Sequence, residues 1–185
     1  MGEILINRFS SRSKRLDKAF LHEKLKNAIN YDRIAGFFSS SILEVAGEEI
    51  ESVSSTVRLI CNSCLEKDDV ITATAAANAL RKEWCASEPE QKFSNNSPRL
   101  KKLYDLLKSK KLIVKVLPND VFGLIHGKAG VITLSDNSKT SFIGSVNETY
   151  SAWKLNYEIL WEDDSDEAVK WVQDEFDYFW HHPSA

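Results

Sequence analysis

The sequence lacks an excess of positive charge. Its 24 lysines and arginines are outnumbered by 27 aspartates and glutamates, for a net charge of -3 and a pI near 5.8. A protein that held nucleic acid through overall basicity would show the opposite balance, so any such contact has to be local or supplied by a partner. Long apolar runs are missing too. The N-terminal MGEILINRFSSRSKRLDK contains no apolar core of signal-peptide length, and no later stretch reaches the length of a membrane span. The expectation is a cytoplasmic chain with no membrane partner. Cysteine is scarce, with three residues, which fits free thiols in a reducing compartment. Cys61 and Cys64 form a C-x-x-C. No second pair completes a four-ligand zinc site, and the motif follows the strand-like VRLI instead of opening a helix as a redox pair would. Two small residues at a strand end is the preferred reading. Repeats and low-complexity tracts are absent, carboxylates are not clustered for a divalent metal, and no cofactor is expected.

What is there describes an ordinary globular domain. The 185 residues suit one domain spanning 1–185, alone or as part of a larger protein or complex, with 43% hydrophobic and 28% charged residues. EILINRF (3–9) reads as a strand, and residues 15–29 carry apolar groups at helical spacing. RIAGFF (33–38) reads as a strand ending in serines that suit a helix cap, followed by a helical stripe through Ile50. VRLIC (57–61) and LIVKVLP (112–118) are further strands, with helices over 68–84 and 99–110 and a polar loop over 87–98. Three strands then come in quick succession, LIHGKAGVITL, SFIGSVN and NYEILWE, before a last helix from Asp166 to Trp180. Alternating strands and helices imply an α/β fold, a mixed sheet flanked by helices on both faces.

The three late strands share an oddity. Each places two polar residues at i and i+2 within an apolar setting: His126 and Lys128, Ser145 and Asn147, Asn156 and Glu158. Such neighbours point to one face of a strand, roughly 7 Å apart. Polar groups beside a buried sheet are unfavourable without partners, and three pairs so close in sequence satisfy one another most economically around one site. The chemistry suits a phosphate: an imidazole as nucleophile or acid, an ammonium as counterion, amide and hydroxyl donors, and a carboxylate to orient the ring.

His126-x-Lys128, Gly144-Ser145-x-Asn147 and Asn156-x-Glu158 together resemble the HKD signature of the phospholipase D superfamily. The wording IHGKAGVI…FIGSVNETYSAWKLNYEILWED looks closest to nuclease modules joined to, or encoded beside, superfamily 2 helicases in bacterial restriction and phage-defence systems. The resemblance implies a phospholipase D-like fold and a metal-independent phosphodiesterase acting as a DNA endonuclease. His126 would attack phosphorus and form a phosphohistidine, and Glu158 would orient its ring. Lys128, Asn147 and Ser145 would stabilise charge on the phosphate oxygens, with Asn156 behind them. Members with a single motif form twofold dimers, so a homodimer with His126 from both subunits in one cleft is expected. DNA is the expected substrate and a helicase or translocase a possible partner. One position departs: Thr133 stands where the family has an aspartate, five residues after the lysine.

Two other functions stay open: a phospholipid or other phosphodiester hydrolase, and a non-catalytic nucleic-acid-binding or dimerisation module. Remaining features have plain readings beside functional ones. Arg8, Arg12, Lys14 and Arg15, and the lysines from 101 to 111, suit a phosphate backbone or solvated surface equally well. Ser39 and Ser40 read as a helix cap before they read as a cleft border, and His22 as a core residue. His181 and His182 are read as exposed helix-end residues, and the aromatics from Trp171 to Trp180 as core packing.

Overall fold

The computed structural model describes residues 6–62, 65, 67–84 and 97–185. Strand β1 (Ile6–Ser10) is followed by a π-helical turn (Asp17–Leu21), α1 (His22–Leu25) and β2 (Ala28–Ile34). A 3-10 turn (Ser40–Ile42) opens α2 (Leu43–Ser52), then come β3 (Val57–Asn62), α3 (Lys67–Trp84), α4 (Pro98–Lys108) and β4 (Leu112–Leu117). The C-terminal part adds α5 (Asn119–Phe122), β5 (Ala129–Leu134), β6 (Lys139–Gly144), α6 (Tyr150–Lys154), β7 (Ile159–Asp163) and α7 (Asp166–Trp180). Local signals set several boundaries. Ser165 accepts a hydrogen bond from Ala168 N and Asp166 and Glu167 face the positive end of α7, while Pro98 occupies the first turn of α4.

The strands form one mixed sheet in the order β1-β7-β6-β5-β2-β3-β4. The β2–β3 and β3–β4 pairs are parallel; β2–β5, β5–β6, β6–β7 and β7–β1 are antiparallel. One face carries the larger core, where Phe20 meets Phe142 edge to face at 5.0 Å beside the fully buried Trp153, and α1, α2, α4 and α6 close it. The other face packs Ile34, Ile60 and Leu117 against Phe176 of α7. Helices therefore flank a mixed sheet on both faces, as expected from the sequence.

The N-terminal third departs from expectation. The helix read over 15–29 ends at Leu25, and Ala28 and Ile29 already belong to β2. That strand ends at Ile34, so AGFF lies beyond it. The pattern misleads because β2 is central yet charged. Asp32 is paired with Arg58 and Arg33 with Glu148, both inside the fold, so a buried strand shows no apolar run. The short helices α5 and α6 had no counterpart in the pattern. Residues 3–5 of the first expected strand and 87–96 of the expected loop lie outside the described residues.

Candidate active site

Sheet order alone gathers the three polar pairs. Along the antiparallel run β5-β6-β7, the start of β5, the end of β6 and the start of β7 share one end of the sheet. The ends of β2 and β3 arrive there as well, because β2 runs against β5 and alongside β3. The pairs do not sit in strands, as the sequence suggests. His126 and Lys128 precede β5, Ser145 and Asn147 follow β6, and Asn156 and Glu158 precede β7. Freed from the ladder, their side chains can turn toward a ligand.

His126 is exposed and Lys128 is 7% exposed. The Lys128 ammonium lies 2.7 Å from His126 Nδ1 and donates to the His126 carbonyl at 2.7 Å. Burial holds this lysine below its usual range, the positive charge of Arg33 pushes the same way, and Glu158 opposes them. Asn147 uses Oδ1 to accept from Phe37 N at 3.0 Å, so its amide hydrogens are what it can offer a ligand. Ser145 donates to Glu158 Oε2, and Asn156 Nδ2 reaches Glu158 Oε1 at 3.4 Å. Glu158 is 7% exposed, and its two oxygens bond Ser145 and Asn156 while Lys128 occupies His126 Nδ1. The carboxylate and the imidazole thus share the site without the direct bond that orientation of the ring would need. Asn156 is exposed and touches the set only through Glu158. Thr133 lies within β5, between Asn30 and Lys139, about 16 Å along the strand from Lys128.

Five supporting residues escaped the sequence reading. Gly36 forms the floor: a Cβ there would stand 3.3 Å from Lys128 Nζ, 3.3 Å from Asn147 Oδ1 and 3.1 Å from Ile125 O. The ammonium, the Asn147 amide oxygen and the Ile125 carbonyl therefore close in on Gly36, and a larger residue would have to push them apart. Asn62, fully buried at the end of β3, donates to Gly36 O at 2.8 Å and Ile125 O at 2.7 Å, and accepts from Ile125 N at 3.0 Å. It ties the floor to the His126 loop. Behind Asn147, the buried Arg33 binds Glu148 Oε1 at 2.5 Å and donates to Val146 O, and Tyr31 adds a 2.9 Å bond to the same carboxylate. Burial first, and then the Glu148 charge, push the Tyr31 phenol well above its usual range, so it remains a donor. The legible signal was a glycine inside RIAGFF and a glutamate directly after Asn147.

Other candidates fall outside this cluster. His22 is half-buried with Nδ1 3.0 Å from Glu49 Oε1. His181 is exposed, whereas His182 packs edge-on against Phe122 at 4.5 Å instead of facing solvent freely. Trp171 and Tyr178 are exposed and only Phe176 of that aromatic group is fully buried. Cys61 is a buried thiol that burial pushes up to about 12, too high for a nucleophile, and Cys64 lies outside the described residues. Among the described residues, no group of three or more histidines, cysteines or carboxylates is placed to hold a metal, and no helix is long and apolar enough to cross a membrane.

Comparison with solved structures finds the same fold elsewhere. NucT from Helicobacter pylori is 18% identical over 95% of each chain, with a TM-score of 0.58. Nuc, a phospholipase D family member from Salmonella typhimurium, is 14% identical over 96% of this chain and 95% of its own, with a TM-score of 0.57. A polyphosphate kinase from Porphyromonas gingivalis is 7% identical, with a TM-score of 0.55 over 98% of this chain but 26% of the kinase. No curated protein matches the sequence. The sequence pattern of the family described as cardiolipin synthase, PLD-like domain, matches residues 21–180, and the chain therefore belongs to the PLD-like family.

Proposed function

We propose that this protein is a metal-independent phosphodiesterase that cleaves DNA through a phosphohistidine on His126. The observation that carries this reading is that Lys128 Nζ lies 2.7 Å from His126 Nδ1 and shares the neighbourhood of Gly36 with Asn147. A phosphate beside the imidazole would meet the Lys128 ammonium and the Asn147 amide hydrogens, groups that stabilise developing charge on non-bridging oxygens.

The lysine contact sets the order of events. While the ammonium donates to Nδ1, the neutral ring carries its proton on Nε2. A bound phosphate draws Lys128 toward its oxygens and releases Nδ1; the ring exchanges its Nε2 proton with solvent for one on Nδ1, and that N–H donates a hydrogen bond to Glu158. Nε2 is left with a free lone pair. It attacks phosphorus, the N–P bond forms, and the P–O bond to the leaving alcohol breaks. A second acid must protonate that oxygen. The chain holds one such motif, so His126 of a second copy, brought in by a twofold axis, fills this role in a homodimer. Water deprotonated by that same histidine then breaks the N–P bond and restores the ring. Within this proposal Ser145 and Asn156 hold the Glu158 carboxylate in place. The resemblance to helicase-associated modules supports a place in restriction or phage defence, with a translocase as partner.

The test is turnover of plasmid, single-stranded DNA and a phospholipid in EDTA by wild type and His126→Ala. DNA cleavage that requires His126 supports the proposal. Turnover of the lipid alone makes the protein a phospholipid hydrolase. DNA binding without turnover by either protein makes it a binding module.

A further inference from the structure

Beside the candidate site runs a groove of about 680 Å³ whose lining includes Arg8, Ser10, Ser13, Ile143, Ile159 and Trp161. It touches the site through the chain itself. Gly144 on its wall precedes Ser145, and Ile159 follows Glu158 and donates its N–H to Ser145 Oγ at 3.2 Å. Exposure and burial alternate from residue 157 to 162, so Tyr157, Ile159 and Trp161 face outward at 72%, 51% and 41% exposure. Trp161 stands opposite Ile143 on one neighbouring strand and Arg8 on the other. The Arg8 guanidinium lies over the indole, 4.2 Å from its centre, a cation–π contact.

The groove also borders a turn that carries exposed cations. Arg12 and Lys14 are exposed in the turn after β1, and among the described residues neither they nor Arg8 makes an ion pair. That turn is fastened to the site. Ser11 N donates to Glu158 O at 3.0 Å, Ser11 Oγ donates to Asn156 O at 3.0 Å, and Glu158 N donates to Ser11 Oγ at 2.9 Å. Among the described residues, no carboxylate lines the groove.

We propose that the groove from Trp161 and Arg8 to the Arg12–Lys14 turn binds a single-stranded nucleic-acid segment flanking the phosphate held at His126 and Lys128. The inference rests on the reading of that site as a DNA phosphodiesterase and adds the form of substrate it takes. Apolar and aromatic walls recognise base faces, which a duplex hides and a single strand displays, and unpaired cations follow the backbone. A second copy of the chain fits less well. Among the described residues the groove offers no carboxylate to answer Arg8, Arg12 and Lys14 of another copy.

The test is anisotropy of a fluorescent oligothymidylate of about 15 nucleotides, with every variant built on His126→Ala so that nothing is cleaved. Trp161→Ala should weaken binding about five- to a hundredfold, Trp161→Phe should retain most of it, and a duplex of equal length should respond little. Arg12→Gln with Lys14→Gln should flatten the salt dependence by roughly 0.7 log units per lost phosphate contact. Unchanged affinity in Trp161→Ala, or no oligothymidylate binding by the parent, overturns the proposal. So does a change of oligomeric state in Trp161→Ala with affinity intact, which would assign the groove to a second copy. Hydrolysis of bis(4-nitrophenyl) phosphate by wild type reads the phosphate site separately. Hydrolysis without oligonucleotide binding removes the groove alone, and binding without hydrolysis removes the catalytic reading alone.

Discussion

The Lys128 ammonium stands 2.7 Å from His126 Nδ1, in a position where burial and Arg33 both disfavour its charge. A cation held there against its solvation is a stability sacrifice. Lys128→Met should lower phosphodiester turnover about 100-fold or more while raising Tm by about 2–4 °C, the shift of roughly 1 kcal/mol in a chain of this size. The folded-state pKa lies below the unfolded one, so the unfolded chain binds the proton more tightly. The penalty on the native state is full below the folded pKa and fades as pH rises through it to the ordinary lysine range. The Tm gap between Lys128→Met and wild type should therefore shrink with rising pH, as differential scanning calorimetry would show; a constant gap would contradict this account.

Gly36 lets Lys128, Asn147 and the Ile125 carbonyl pack close together because it has no side chain. Its φ is not positive, so alanine there is allowed by the backbone, yet the added methyl meets Ile125 O at 3.1 Å and Lys128 Nζ and Asn147 Oδ1 at 3.3 Å each. Gly36→Ala should fold with a modest loss in Tm and lose about tenfold or more in turnover, since displacing Lys128 and Asn147 misaligns reacting groups. Wild-type activity in this variant would place the reaction elsewhere.

Asn62 holds the floor and the His126 loop together with three buried hydrogen bonds. Asn62→Ala leaves backbone groups of Gly36 and Ile125 unpaired and should cost about 2–4 kcal/mol in urea unfolding. Hydrogen exchange at Ile125 N–H should rise more than in the distant strand β1. A loss under about 0.5 kcal/mol would mean that water replaces the amide.

These supports explain what the sequence could and could not disclose. The site pairs were legible because polar residues at i and i+2 in apolar stretches are conspicuous. The strands VRLIC and LIVKVL and the last helix were legible from their apolar patterns. Strand β2 was misplaced because Asp32 and Arg33 find their counterions on β3 and beyond β6, partners that only the tertiary fold supplies. Gly36 and Asn62 were missed for a similar reason. Their roles come from what crosses above them, and neither carries a spacing that sets it apart.

Arg33 and Glu148 brace the loop that carries Asn147 from inside the protein. Arg33→Met leaves a buried carboxylate without its cation and should destabilise by about 3–5 kcal/mol, whereas Arg33→Met with Glu148→Leu should recover a large part of that loss. Equal destabilisation of the single and double variants in chemical unfolding would show that packing, and not charge, is what the pair supplies.

A site that needs two copies of His126 makes an inactive subunit a poison. Adding excess His126→Ala to wild type, under conditions that allow subunit exchange, should lower the activity per wild-type chain. Unchanged activity per chain would contradict a shared cleft.

The most direct measurement is a rapid quench of wild type with an end-labelled oligonucleotide, followed by denaturing electrophoresis and mass mapping of any labelled protein. The account predicts a transient protein–nucleic acid adduct, stable to base and labile to acid as a phosphoramidate is, located on His126 and absent from His126→Ala. Cleavage that proceeds with no adduct at any time, or an adduct on another residue, would contradict it.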